Sequence, residues 1–259
     1  MEFDFAAVSD RGLVRHRNED SYVAEQELGL FLVADGMGGH AGGDVASRTV
    51  AEGVRDFIRA TALDPEKTWP FAIDLALSEA ANRLQVAIRA ANRKLAEMVG
   101  AAELTDGAGA TISAALFAAD RLVVSNVGDC RAYLIRDGKT WQITRDHSMV
   151  AEQVAQGLIE PAAAHDHPLR HVVTRAISGH QGVSIDTWEI RVESGDRILL
   201  CSDGVHALVA SDELAAIASD LTASLDDVCQ RLVAAAKRHG GSDNATVVVV
   251  EVTDRGPSG

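Results

Sequence analysis

"TISAALFAADRLVVSNVGDCRAYLIRDGKTWQITRD", residues 111–146, alternates apolar and polar positions and breaks only at short Asp, Gly and Asn turns. A period of two places successive side chains on opposite faces of a β-sheet. The breaks are too short for crossover helices, so the strands they join run antiparallel. The middle of the chain is therefore read as a run of antiparallel strands.

Working outward, "FDFAAVSD" (3–10) and "LGLFLVAD" (28–35) read as short buried strands that end in polar turns. Between Gly43 and Ala60, Val45, Val50, Val54, Phe57 and Ile58 recur near helical spacing, and Gly42, Gly43 and Asp44 suit the helix start. A second stripe, Leu77, Ala81, Leu84, Ile88, Ala91, Leu95 and Met98, predicts a helix from about Pro70 to Val99 with one buried face. Downstream, "MVAEQVAQG" predicts a short helix that opens a polar excursion over 149–182, rich in His and holding Pro161 and Pro168. Strands return in "VSIDTWEIRV" and "DRILLCSD", helices near 211–219 and 224–239, and a last strand in "NATVVVVEV". This order predicts an α+β layered domain with its helices on the outer faces of the sheets.

A chain of 259 residues can bury a full core in one domain. With 47% apolar and 24% charged residues it is neither disordered nor fibrous. The net charge of −14 argues against a nucleic-acid surface. No stretch approaches the ~18 consecutive apolar residues of a membrane span, and "MEFDFAAVSD" lacks the basic start of a signal peptide. Cys130, Cys201 and Cys229 are an odd number with no paired spacing, which reads as small buried residues and not as a disulfide frame or zinc site. The expectation is a soluble cytoplasmic monomer with no membrane anchor after Val252.

Acids recur where strands end. Asp20 precedes a strand, Asp35 ends "LFLVAD", Asp129 ends "LVVSNVGD", Asp203 ends "RILLCSD", and Asp243 opens the turn "GSDNAT". Such a set suits an oxygen-only cage for a hard divalent cation such as Mg²⁺ or Mn²⁺. Ordinary Asx-turns remain the alternative at each position taken singly. The glycine-rich loop "ADGMGGHAGGDVAS" (34–47) lacks the Gly-Lys-Ser/Thr of a nucleotide P-loop, and its third glycine falls one place late for a dinucleotide fingerprint. Asp35 in front of that loop repels phosphate unless a cation lies between them.

Taken in order, "RHRNED", "VADGMGGHAGGDVAS", "NVGDCRAY", "TRDHS", "CSDGV" and "GSDNATVVVV" resemble the motifs of the metal-dependent protein phosphatase 2C (PPM) family, in its bacterial branch. The resemblance covers about residues 4–252. It implies a four-layer α-β-β-α sandwich, two antiparallel sheets flanked by helix pairs, forming a single domain over 1–259 with a flap over about 149–182. Asp35 matches the carboxylate that bridges two metals, and Gly36 the residue whose carbonyl binds the second. Asp203 and Asp243 match further ligands, Glu19 and Asp20 match acids near the metals, and Asp129 matches an acid of a third site shared with Asp203. Arg15 matches the arginine that binds the substrate phosphate, and His40 stands where bacterial members carry a His that serves as general acid. Cys130 and His206 depart from the family pattern, and neither is expected to touch a ligand.

The implied reaction is hydrolysis of phosphoserine and phosphothreonine in proteins, by a water held between two Mn²⁺ or Mg²⁺ ions that share Asp35. The implied partners are phosphoproteins and a cognate Ser/Thr kinase. No cysteine sits in a phosphate-loop motif, which removes the tyrosine-phosphatase mechanism. Arg15 has an alternative as half of a surface ion pair with Glu19 or Asp20, and His40 as a solvated helix-start residue. "HDHPLRH" (His165, Asp166, His167, His171) invites a zinc reading, but the separated His and Asp of that phosphohydrolase class are missing. A catalytically silent module that binds phosphoproteins is the alternative from another class.

Overall fold

The computed structural model describes residues 2–38, 42–64, 68–104, 107–164, 167–180 and 182–253. At its centre lies β10 (Ala245–Thr253), whose first six residues are buried. A strand apolar at successive positions must be covered on both faces. Strand β10 pairs on one side with β1 (Glu2–Asp10) and on the other with β9 (Arg197–Cys201). Next come β6 (Arg131–Arg136) and β7 (Lys139–Gln142), giving the order β1-β10-β9-β6-β7. The second sheet runs β2 (Asp20–Glu25), β3 (Leu30–Met37), β4 (Gly109–Ala118), β5 (Arg121–Val127), β8 (Asp186–Arg191). Every pairing is antiparallel.

The 111–146 stretch thus forms antiparallel strands as its period requires, but it is split between the two sheets. Strands β4 and β5 close a hairpin in one, and β6 and β7 a hairpin in the other. The handover lies at Gly128, whose φ of 103° favours glycine and whose missing Cβ would collide with the Thr111 side chain. Cys130 follows, fully buried between the sheets. Period two reports faces within a sheet and carries no information on which sheet a strand joins.

Phe3, Phe31, Phe117, Ile198 and Val248 fill the space between the sheets. Helices α1 (Gly43–Leu63) and α2 (Glu79–Gly100) pack on the outer face of the β2-to-β8 sheet. Helix α5 (Asp203–His206), α6 (Ser211–Ala218) and α7 (Leu225–Arg238) cover the other. This is the expected α-β-β-α sandwich. All three cysteines are free and buried.

Helix α2 keeps the buried stripe from Ala81 to Leu95 but starts at Glu79 and not near Pro70. Ser78 caps it, its Oγ accepting the Ala81 N–H at 3.1 Å. Asn82 holds the preceding turn, accepting the Asp74 N–H at 2.7 Å and donating to the Asp74 and Leu77 carbonyls. Upstream, Trp69 sits edge-on to Phe57 and the Arg93 guanidinium lies 5.3 Å over the Phe71 ring, so this stretch folds back on the helix pair. The 149–182 excursion carries α3 (Met149–Ala155) and α4 (Pro161–Ala164). Its far arm is tied to the core by backbone bridges from Val173 to Ser148 and from Ile177 to Ala110.

Phe31 is fully buried and packs edge-on against Phe3 and Phe117, whereas Phe5 is 39% exposed. Phe31→Ala is expected to lower unfolding free energy by about 3–5 kcal/mol, measured by urea denaturation, with Phe5→Ala losing well under half of that.

Candidate active site

A cleft of ≈ 1170 Å³ opens where both sheets end, and Arg15, Glu19, Asp35, Gly36, Asp129, Asp203 and Asp243 all line it. Asp20 stands opposite Asp35 across the β2–β3 pair, in register. Its Oδ2 accepts hydrogen bonds from Ser202 Oγ at 2.8 Å and Thr246 Oγ1 at 2.6 Å, both belonging to the other sheet's strand ends. Gly36 is a glycine for steric reasons, because a Cβ there would run into the carbonyls of Gly43 and Glu19. The Gly36 N–H donates to the Glu19 carbonyl at 3.2 Å, which fixes the 18–20 turn against the end of β3.

Asp203 opens α5, and Gly204 lets that turn pack directly on the Asn244 carbonyl beside Asp243. Asn244 is a residue that sequence reasoning missed. Its Oδ1 accepts the Glu19 N–H at 2.8 Å, and its Nδ2 donates to the carbonyls of Arg11 at 2.9 Å and Arg17 at 2.8 Å. One amide thus holds the whole 11–19 loop at the cleft. An amide side chain directly after a candidate ligand was the available signal.

Asp129 is held from behind. The Gly128 N–H donates to His147 Nδ1 at 3.0 Å, and the His147 N–H returns a bond to the Gly128 carbonyl at 2.9 Å. His206 Nε2 donates to the Asp129 carbonyl at 2.8 Å. This corrects the expectation that His206 stays clear of the ligands. Burial pushes His206 down to about 3, so the ring is neutral and this N–H is its donor. Arg131 makes a bidentate pair with Asp146 through Nε at 2.9 Å and Nη2 at 2.7 Å. Arg131, Asp146 and His147 lie in the quoted "GDCR" and "TRDHS" motifs, but spacing alone assigned them no partner.

The electrostatics separate two groups of acids. Burial, and then each other's charge, push Asp20 and Asp129 up to about 7, Asp35 well above the carboxylate range, and Asp203 upward. Burial works the same way on Asp146, but the Arg131 guanidinium beside it wins and holds that carboxyl low. Asp186 is likewise held low against its burial, by His147 and Arg175. Acids behind the cleft therefore have protein partners, while those facing it lack enough positive charge. The Oδ1 atoms of Asp20 and Asp203 are buried without a hydrogen-bond partner among the described residues. Two orphaned buried oxygens in an all-oxygen donor set fit a hard divalent cation. Among the described residues no three His, Cys, Asp or Glu side chains already meet as a finished cage. Arg15 Nη2 holds Asp243 Oδ2 at 2.6 Å.

Arg15 thus pairs with Asp243 and not with Glu19 or Asp20. His40 lies outside the described residues, as do His165 and Asp166. In the rest of "HDHPLRH", His167 Nδ1 accepts the Leu169 N–H at 3.2 Å, while His171 lines the cleft from the flap side.

A helix-flanked double sheet with an acid-lined cleft at the joint of its two sheets defines the phosphatase 2C class of architecture. The chain belongs to the protein phosphatase 2C family, whose model matches residues 14–239. It is 43% identical over 251 residues to the serine/threonine protein phosphatase PstP of Mycobacterium tuberculosis, covering 96% of this chain and 45% of that relative. The chain therefore spans less than half the length of that relative. It is 33% identical over 247 residues to the serine/threonine phosphatase stp of Listeria innocua, covering 94% of this chain and 93% of that one. A solved structure of the PstP catalytic domain in complex with two manganese ions matches with a TM-score of 0.83 at 37% identity, covering 98% of this chain and 99% of that chain.

A carboxyl raised on folding binds its proton more tightly in the native state, so it lowers stability as pH rises from the unfolded value towards the folded one. In EDTA, Asp129→Asn is therefore expected to raise the urea midpoint relative to the unmodified protein. The gain is absent near pH 4, grows to roughly 1 kcal/mol or more by pH 7 and levels off above. A gain independent of pH would contradict the electrostatic account.

Proposed function

We propose that the chain is a protein serine/threonine phosphatase, a phosphoric monoester hydrolase that depends on Mn²⁺ or Mg²⁺. The observation that carries this reading is the unpartnered buried oxygen of Asp203 in a cleft that Arg15 also lines, with a second such oxygen on Asp20 opposite Asp35, in a phosphatase 2C chain. Asp35, Asp203, Asp243 and the Gly36 carbonyl, with Glu19 and Asp20 beside them, would hold two ions, and Asp129 with Asp203 a third. Bound there, such ions supply Lewis acidity and lower the pKa of a water nucleophile.

The chain's own residues do the rest. Arg15 offers the phosphate a planar fork of donors. Its side chain is 53% exposed, so its ion pair with Asp243 is weak enough for an incoming phosphate to displace. Asn244 keeps the Arg15 loop in place while that exchange occurs. The leaving alkoxide takes its proton from His40 or from solvent in the open cleft. No thiolate competes as nucleophile, because burial pushes Cys201 and Cys229 up to about 12 and Cys130 well above its usual range.

The domain reading goes with this function: one catalytic unit, with 149–182 as a flap whose His171 and Val173 wall the cleft. Its role would be to oppose a bacterial Ser/Thr kinase in the cytoplasm, and no described helix is long and apolar enough to cross a membrane. The silent-module alternative fits less well, since every proposed ligand is present.

Hydrolysis of p-nitrophenyl phosphate and of a phosphothreonine peptide should require Mn²⁺ and stop in EDTA. Asp35→Asn and Asp203→Asn should each lower kcat by at least about 100-fold, given that mere outer-sphere changes reach that size. Activity that survives EDTA and both substitutions would falsify the mechanism. Peptide binding without phosphate release would identify the silent module.

A further inference from the structure

The chain is strongly acidic overall, at −14, yet residues 11–17 at the cleft rim read Arg-Gly-Leu-Val-Arg-His-Arg, with three arginines and no acid. The backbone of this loop is fixed. Asn244 ties the Arg11 and Arg17 carbonyls, and the Leu13 N–H donates to the Gly241 carbonyl at 2.7 Å. Two of its cations have partners: Arg11 Nη1 donates to the His16 carbonyl at 3.4 Å, and Arg15 holds Asp243. Arg17 is exposed, lines the cleft, and has neither an ion pair nor a side-chain hydrogen bond among the described residues.

Resting on the phosphatase reading, we infer that Arg17 is a specificity residue that selects phosphopeptides carrying an acidic side chain next to the phosphorylated residue. Arg15 and Arg17 lie two positions apart, at most ~7 Å of chain, and two residues of extended substrate cover the same span. A phosphate seated at Arg15 therefore brings a carboxylate one or two residues away within reach of Arg17. The match is one of charge: an anion meets a cation on a rim whose surroundings repel anions, so the contact both attracts the acidic peptide and orients it. Preorganisation by Asn244 reduces the ordering entropy lost on binding. Val14, 63% exposed on the same rim, supplies apolar surface for the peptide main chain.

The test uses phosphothreonine peptides that are identical except for Glu or Lys at the positions flanking the phosphothreonine, assayed with Mn²⁺. In the unmodified protein kcat/KM should favour Glu by about fivefold, the size of one charge-assisted contact at a partly exposed site. That ratio should fall towards one in Arg17→Ala, reverse in Arg17→Glu, persist in Arg17→Lys, and shrink in 0.5 M NaCl through screening. The Asn244 bond uses the Arg17 carbonyl, so these substitutions leave the loop's anchor intact. A ratio near one in the unmodified protein, or one unchanged in Arg17→Glu, overturns the inference. Turnover of p-nitrophenyl phosphate by the unmodified protein separates the two failures. Turnover without charge preference sinks only the role of Arg17, whereas no turnover of any substrate sinks the phosphatase reading beneath it.

Discussion

Asp20 is the point on which the two sheets agree. It begins β2 in one sheet and accepts hydrogen bonds from Ser202 and Thr246 of the other. Charge-assisted bonds of this kind are among the stronger ones a protein can make, and here they close the open end of the sandwich. One carboxylate oxygen is committed to this joint, and the other is buried without a partner among the described residues, near enough to Asp35 and Asp203 for their charges to act on one another. The joint that completes the fold is also what concentrates negative charge at one end of it.

That concentration is tolerated because it is confined. Immediately behind the cleft, Arg131 neutralises Asp146 and Arg175 neutralises Asp186, while neutral His206 and His147 contribute hydrogen bonds alone, to the Asp129 turn and, from His147, to Asp186. Positive charge reaches Asp146 and Asp186 through short bonds, whereas among the described carboxylates lining the cleft the one ion pair to an arginine is that of exposed Arg15 with Asp243. An active site that holds like charges together sacrifices stability for chemistry, and the surrounding ion pairs supply the rigid frame in which that strain is held.

The elements of the fold were legible because buried faces impose a period on the chain. The valines of β10 and the Ala81-to-Leu95 stripe of α2 could hardly read otherwise. What was not legible follows from interactions that leave no period. The division of residues 111–146 between two sheets depends on a positive φ at Gly128 and its contact with Thr111. The true start of α2 depends on Ser78 and on Asn82 bonding backwards to Asp74. Within the site, the acids could be read from their places at strand ends. Asn244 and His206 act on backbone atoms far away in sequence, and their identity alone does not reveal such partners. His206 was visible only as a departure from the family pattern.

The pairing of β1 with β10 joins the two extremes of the described chain, Glu2 opposite Thr253. During synthesis β10, an interior strand of its sheet, is made after every other described element, so β1 has no sheet neighbour until the rest of the sandwich has been made. Asp243, Asn244 and Thr246 arrive with that strand, and they bring a ligand, the anchor of the arginine loop and half of the grip on Asp20. Contacts this distant in sequence form slowly. A nascent chain therefore carries its helix pair and second sheet well before it has a cleft, and the acid-lined centre comes into being only when β10 joins the sandwich.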